Sequence, residues 1–236
     1  MLSTIGFSTG AFAREEMPFK ERIKLFRDLG CSGVELVYDE KEKFFKELPS
    51  GSHTRLLKNF KWVSLHEGSE QRYRKNQRTK TILNNIQKIH KIKPLNLVVF
   101  HPDLFDNFSV LDEYSFPIGM ENMDNKKASF QRPDSFKPLF GEHPDWKLVL
   151  DLNHCYANDS SLILAKTMFT TFSNQLGEIH LSGFLKLHEP LFKTKQDIIL
   201  TSVPLDNSTP IIIESELATK NDARREYKYI LEILSR

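Results

Sequence analysis

The sequence predicts a single-domain α/β fold over residues 1–236, a closed parallel (β/α)8 barrel, on three observations. Short apolar runs recur eight times, they are near-continuous rather than alternating, and helical patterns fill several of the gaps between them. Near-continuous aliphatic runs belong to strands buried on both faces, as in a parallel sheet. A spacing of about 30 residues is the size of one strand-helix unit.

In order, the runs are "STIGFS", "SGVELVY", "KWVSLH", "LNLVVFH", "FPIGME", "KLVLDL", "GEIHLS" and "PIIIES". Measured at Gly6, Leu36, Leu65, Phe100, Met120, Leu150, Ile179 and Ile213, the gaps are 30, 29, 35, 20, 30, 29 and 34 residues. The first gap holds "MPFKERIKLFRDLG", with Pro18 near its start, Gly30 just past its end, and Phe19, Ile23, Phe26 and Leu29 on one face. "TKTILNNIQKIHK" places Ile82, Ile86 and Ile89 on a common face. The 20-residue gap before "FPIGME" leaves room only for a small or degenerate helix. "NDSSLILAKTMFTTF" opens on capping residues 158–161, and "NDARREYKYILEIL" closes the chain with Tyr227, Ile230, Leu231 and Leu234. A doubly wound open sheet is the alternative, but no G-x-G-x-x-G or P-loop follows the first strand.

Composition sets broad bounds. A hydrophobic content of 39%, a charged content of 27% and a net charge of +2 describe an ordinary globular protein and do not select a partner. No apolar stretch approaches a membrane span, and no long signal-peptide core opens the chain, so no membrane partner is expected. Cys31 and Cys155 alone make no disulfide framework, which points to a reducing cytoplasm. Oligomeric state is not legible.

The chemistry sits where the strands stop. Strands three to eight end in His66, His101, Glu121, Asp151, His180 and Glu214. With His154 and His188, five of the eight histidines lie at or just past these ends, leaving His53, His90 and His143 elsewhere. In a barrel these ends form one ring, on the face that carries active sites. Alone, a histidine there is ordinarily structural, and a carboxylate caps the next helix. Six in succession change that reading, because several carboxylates converging in one mouth repel and lose hydration unless a cation neutralises them. Mixed imidazole and carboxylate suits zinc, manganese, iron or cobalt better than magnesium or calcium.

The ordered set His66, His101, Glu121, Asp151-x-x-His154, His180, His188 and Glu214 resembles the xylose isomerase-like TIM barrels along essentially the whole chain. That superfamily includes sugar epimerases, inositol and hydroxypyruvate isomerases, and apurinic/apyrimidinic endonucleases of the endonuclease-four type. In the isomerase branch the resemblance implies one divalent metal, zinc or manganese, on Glu121, Asp151, His180 and Glu214, with Glu121 and Glu214 as the catalytic pair. In the endonuclease branch it implies a first zinc on His66, His101 and Glu121 and a second on the quartet. A third would need His154, His188 and an aspartate where this chain has Lys186, and an ammonium cannot replace a carboxylate ligand. "GVELVY" places Glu35 in a common acidic position of the family, and Glu35, His154, Lys186 and His188 are expected substrate contacts.

Two reaction classes fit this ring. The first is isomerisation or epimerisation of a small sugar, sugar phosphate or polyol-derived ketone, by a metal that polarises a carbonyl–hydroxyl pair and a carboxylate that moves the proton through an enediolate. The second is zinc-dependent phosphodiester hydrolysis, favoured by His66 and His101. A barrel that only binds a metal or sugar is a third reading. "RYRKNQRTK" puts five basic residues around Tyr73 and could track a phosphate backbone, with Tyr73 stacking on a base. A solvated helix start is the plainer account of that run. The acidic stretches "YDEKEKFFKE" and "DLFDNFSVLDEY" would repel a duplex, and the chain is short for groove-reading loops, so nucleic acid is second to a sugar-like substrate. Ser8, Thr9 and Gly10 of "STGAF" could bind an anion or form only a turn. Cys155, Trp62 and Trp146 are expected to pack, as are Phe100, Phe105, Phe116 and Phe184, although these lie near the proposed mouth.

Overall fold

The structure, a computed structural model, describes residues 4–15, 17–39, 45–46, 48, 54–68, 71–205 and 208–235. Its strands are β1 (Ile5–Ser8), β2 (Gly33–Tyr38), β3 (Trp62–Glu67), β4 (Leu97–Phe100), β5 (Ile118–Glu121), β6 (Lys147–Asp151), β7 (Leu176–Leu181) and β8 (Ile211–Ile213). Each pairs in parallel with the next and β8 pairs with β1, closing the barrel in chain order. All eight apolar runs become strands, and the open-sheet alternative is excluded. Closure brings β1 against β2 at paired glycines: a Cβ on Gly6 would stand 2.0 Å from the Gly33 carbonyl oxygen, so no larger residue fits.

The helices follow their caps and apolar faces. α1 (Phe19–Asp28) starts after Pro18, ends before Gly30 at φ 87°, and buries Phe19, Ile23, Leu25 and Phe26 while Leu29 is only half-buried. α2 (Thr54–Leu57) is one turn. α3 (Gln77–Ile92) is capped by Asn76, whose side chain accepts from the Thr79 amide at 2.8 Å, and buries Ile82, Leu83, Ile86 and Ile89. Only two short 3-10 turns, Pro102–Leu104 and Phe108–Leu111, fill the 20-residue gap. α4 (Pro133–Glu142) was not legible, since Pro138 and Gly141 break its helical pattern; tertiary burial of Phe136, Leu139 and Phe140 holds it.

Asp151 ends β6 and also caps α5 (Leu152–Asn158), its Oδ1 accepting from the His154 amide at 2.8 Å. α6 (Ile163–Thr171) is started by Asp159, which accepts from the Ser161 and Leu164 amides at 3.0 and 2.9 Å. α7 (Leu191–Thr194), α8 (Asp197–Leu200) and α9 (Lys220–Leu234) complete the outer layer. The buried face of α9 centres on Ile230 and Ile233, with Tyr227, Leu231 and Leu234 flanking it.

One irregularity matters for the site. Between β6 and β7 the register slips, Leu148 facing Leu176 but Val149 facing Glu178. The extra residue on β7, Gly177, acts as a bulge. It sets Glu178 beside Val149 and His180 beside Asp151, so that Glu178 and His180 share the barrel interior.

Candidate active site

The carboxyl ends of the strands surround a cavity of about 240 Å³ lined by His66, His101, Glu121, His154, His188 and Glu214, with Ser8, Gly10 and Glu216 at its edge. Asp151 and His180 lie beneath, 1% and 0% exposed. The strand period produces this convergence: His66, His101, Glu121, Asp151, His180 and Glu214 each sit within one residue of a strand end, on the face that looks inward, while His154 comes from α5 and His188 from the loop after β7.

Glu121 is the hub. Its Oε2 is 3.0 Å from Nε2 of both His66 and His101, and its Oε1 is 3.0 Å from His180 Nδ1. Glu214 Oε2 stands 3.3 Å from the same His180 nitrogen. Donor atoms within 4.8 Å of one another form the sets His66–His101–Glu121, Glu121–Asp151–His180–Glu214 and Asp151–His154–His188. The first two share Glu121.

Neighbouring groups fix the imidazoles. His154 Nδ1 lies 2.7 Å from the Asn122 carbonyl oxygen and donates to it, leaving Nε2 as the lone-pair nitrogen. Asn122 is itself clamped: its Oδ1 accepts from the Asp151 amide at 2.7 Å and its amide donates to the Asp151 carbonyl at 3.0 Å. His188 Nδ1 is 3.0 Å from Ser182 Oγ. Glu189 braces the loop before it, accepting from the amides of Leu185, Lys186 and Leu187.

Without a cation the cluster neutralises itself with protons. Burial opposes charge on His66, but Glu35, Glu121 and Glu214 outweigh it and raise the imidazole to about 10; the same balance holds His180 well above its ordinary value. Burial likewise pushes up the carboxylates, yet His180 overrides it, keeping Glu121 well below its usual range and Glu214 down at about 2. At Asp151 burial wins, pushing it up to about 6, and its Oδ2 has no hydrogen-bond partner among the described residues. An orphaned buried carboxylate oxygen amid nitrogen and oxygen donors fits a divalent cation that would take the place of those protons.

The pH dependence follows in sign. His66 contributes stability in full below its ordinary 6.5 and loses it as pH rises toward about 10. Asp151 and Glu35, raised by burial to about 6 and about 7, cost stability as pH climbs through and past their ordinary values. Glu121 and Glu214 lose their contributions only below 4.5. The Tm of the metal-free protein is therefore expected to peak near pH ~5 and fall toward pH ~9. The Tm gain on adding zinc should grow over the same interval, because the metal competes with protons. Calorimetry with chelator and with zinc checks both slopes; a metal-free Tm that rises with pH would contradict them.

Eight of the expected residues thus meet as metal-ligand candidates, the six strand-end groups together with His154 and His188, which form their set with Asp151. Glu35 does not reach the cavity. It is fully buried beneath His180, with Oε2 3.2 Å from Nε2, apart from the cavity lining where a substrate contact was expected. Lys186 lies on the exposed loop outside the cavity lining, and the third donor set, Asp151–His154–His188, forms without it by drawing on Asp151. Tyr73 cannot stack on a base: it is 1% exposed and stacks on Phe105 at 4.5 Å. Arg72 pairs with Asp106 at 2.9 Å, and Asn76 begins α3, so the basic run is largely a helix entry. Most of "YDEKEKFFKE", and His53, lie outside the described residues.

Ser8 and Gly10 of "STGAF" line the cavity, while Thr9 Oγ1 accepts from the Val37 amide at 2.8 Å. Cys155 is buried and its thiol is pushed up by burial, which leaves it inert. Phe100, Phe105 and Phe116 belong to the core. Trp146 stacks on His143 at 3.8 Å. Sequence reasoning missed Asn122, Glu178, Ser182 and Glu216. The E-x-H spacing of "GEIHLS" was the available signal for Glu178.

No family model matches the chain, and no curated protein matches it in sequence. Solved structures do match along its whole length. A D-tagatose 3-epimerase-like protein superposes with a TM-score of 0.69 at 14% identity, covering 98% of this chain and 97% of that one. A 3-keto-D-glucoside 4-epimerase from E. coli gives 0.66 at 12%, covering 99% and 100%. A probable 3-DHS dehydratase from Bacillus anthracis gives 0.66 at 12%, covering 100% and 99%. At such identities the likeness speaks for architecture. By fold, the chain is a single closed (β/α)8 barrel, similar along its whole length to these structures.

Proposed function

We propose that the protein is a divalent-metal-dependent isomerase or epimerase of a small sugar, sugar phosphate or related ketone. The observation that carries this is the quartet Glu121, Asp151, His180 and Glu214, whose donor atoms converge within 4.8 Å at the floor of a small cavity edged by histidines and glutamates. The epimerases among the matching structures support the same class. Zinc or manganese on the quartet would polarise a carbonyl–hydroxyl pair of the substrate.

The remaining work falls to side chains. Glu214, 15% exposed and ionised, takes the proton from carbon beside the carbonyl. Glu121 is 1% exposed with both oxygens engaged by imidazoles, so it serves first as ligand and returns a proton only when an imidazole releases it. His154, through its free Nε2, and His188 orient hydroxyls across the mouth.

A second reading, metal-assisted phosphodiester hydrolysis, is favoured by one observation: His66 and His101 both stand 3.0 Å from Glu121 Oε2, completing a second ligand set on a shared carboxylate. Metal content and His66→Ala separate the two. Isomerisation is expected to need one ion per chain, and His66→Ala should keep activity on ketose substrates within about tenfold. Two ions per chain, with metal and activity both lost in His66→Ala and an abasic duplex cleaved, would replace the first reading with the second. A chain that takes up no metal would leave a binding barrel.

A further inference from the structure

Behind the quartet lies a buried polar layer that the cavity does not expose. Glu178 precedes His180 by two residues on β7, so both side chains face the barrel interior. Glu178 is 0% exposed. Its Oε1 is 3.0 Å from His180 Nε2 and accepts from Ser64 Oγ at 3.2 Å, and its Oε2 accepts the indole N–H of Trp62. The other His180 nitrogen, Nδ1, faces Glu121 and Glu214 at 3.0 and 3.3 Å. Glu35 Oε2 also stands 3.2 Å from Nε2, and Glu178 is the nearer of the two acceptors.

We infer that Glu178 is a positioning residue for the metal ligand His180, keeping the proton on Nε2 and so presenting the Nδ1 lone pair to the cation. Trp62 and Ser64 hold the Glu178 carboxylate in that register. The inference rests on the metal-dependent reading of the quartet.

Its physical basis is twofold. A ligating imidazole backed by a carboxylate is more basic and cannot turn, and loss of such a partner typically weakens metal binding about 10- to 100-fold. The position also has no packing reason to be charged. Leu97, Val99 and Val149 fill a neighbouring part of the interior, and a well-packed apolar residue in place of a buried ionic group is often neutral or stabilising. A glutamate here gives up desolvation energy that leucine would not.

The test compares the intact chain with Glu178→Gln and Glu178→Leu, reading zinc affinity by chelator competition, the visible spectrum of the cobalt form, and the Tm of the metal-free protein. Zinc affinity is expected to fall about tenfold in Glu178→Gln and up to about 100-fold in Glu178→Leu. The cobalt bands should shift in both as the ring loosens, and the metal-free Tm of Glu178→Leu should not fall in parallel. Trp62→Phe removes one clamp and should weaken zinc by no more than about threefold. Should Glu178→Leu fail to fold, Glu178→Gln alone decides. Folded variants that bind zinc within about twofold of the intact chain overturn the inference while leaving the metal site standing. An intact chain that binds neither zinc nor cobalt overturns the metal-dependent reading, and this inference with it.

Discussion

Glu214→Gln is expected to lower kcat by about 10³-fold or more while the barrel stays folded. Glu214 follows the last strand, lines the cavity and stands 3.3 Å from His180 Nδ1. Its carboxylate is both a metal-ligand candidate and the more accessible of the two glutamates in the quartet. The amide cannot accept a proton from carbon and is a poorer ligand, so general-base action and part of the metal's hold are lost together. General acid–base groups alone account for about 10²–10⁴-fold, and the ligand effect adds to it. Turnover at saturating substrate, with metal content measured on the same sample, separates the two. A reloaded Glu214→Gln enzyme within about tenfold of full activity would remove Glu214 from the chemistry.

The reach of the sequence can be traced to particular residues. The ring of His66, His101, Glu121, Asp151, His180 and Glu214 was legible because one side chain at the end of each buried strand is fixed in direction by the strand period. Height within the barrel was not. Val37 pairs with His66 at the mouth, whereas Glu35 pairs with Ser64 two residues lower, and only the register between strands reveals that difference. Glu178 was hidden for a related reason: the bulge at Gly177 decides which residues of β7 face inward. Asp151 satisfied two readings together, since one oxygen caps α5 and the other is left for a cation. α4 escaped notice because local propensity, with Pro138 inside it, argued against a helix that phenylalanine burial stabilises.

Glu121→Gln is expected to abolish metal binding at the quartet and to dismantle the His66–His101–Glu121 set with it, an effect no change at His66 or His101 should match. Glu121 contacts His66, His101 and His180, and both sets draw on it. His66→Ala removes no member of the quartet, so the quartet should still hold its ion. A glutamine keeps the shape but donates from one arm, setting an N–H against an imidazole nitrogen that was offered an acceptor. The buried histidines must then shed their protons or stand unpaired, and removing one member of such a buried ionic cluster costs about 3–5 kcal/mol at most. The metal-free Tm should therefore fall as well. Because both substitutions act through the same contacts, Glu121→Gln/His66→Ala is expected to be little worse than Glu121→Gln alone. Zinc titration of the single and double variants measures that coupling. Additive losses, with the quartet still loaded in Glu121→Gln, would show that the two sets are independent and that Glu121 is not their shared ligand.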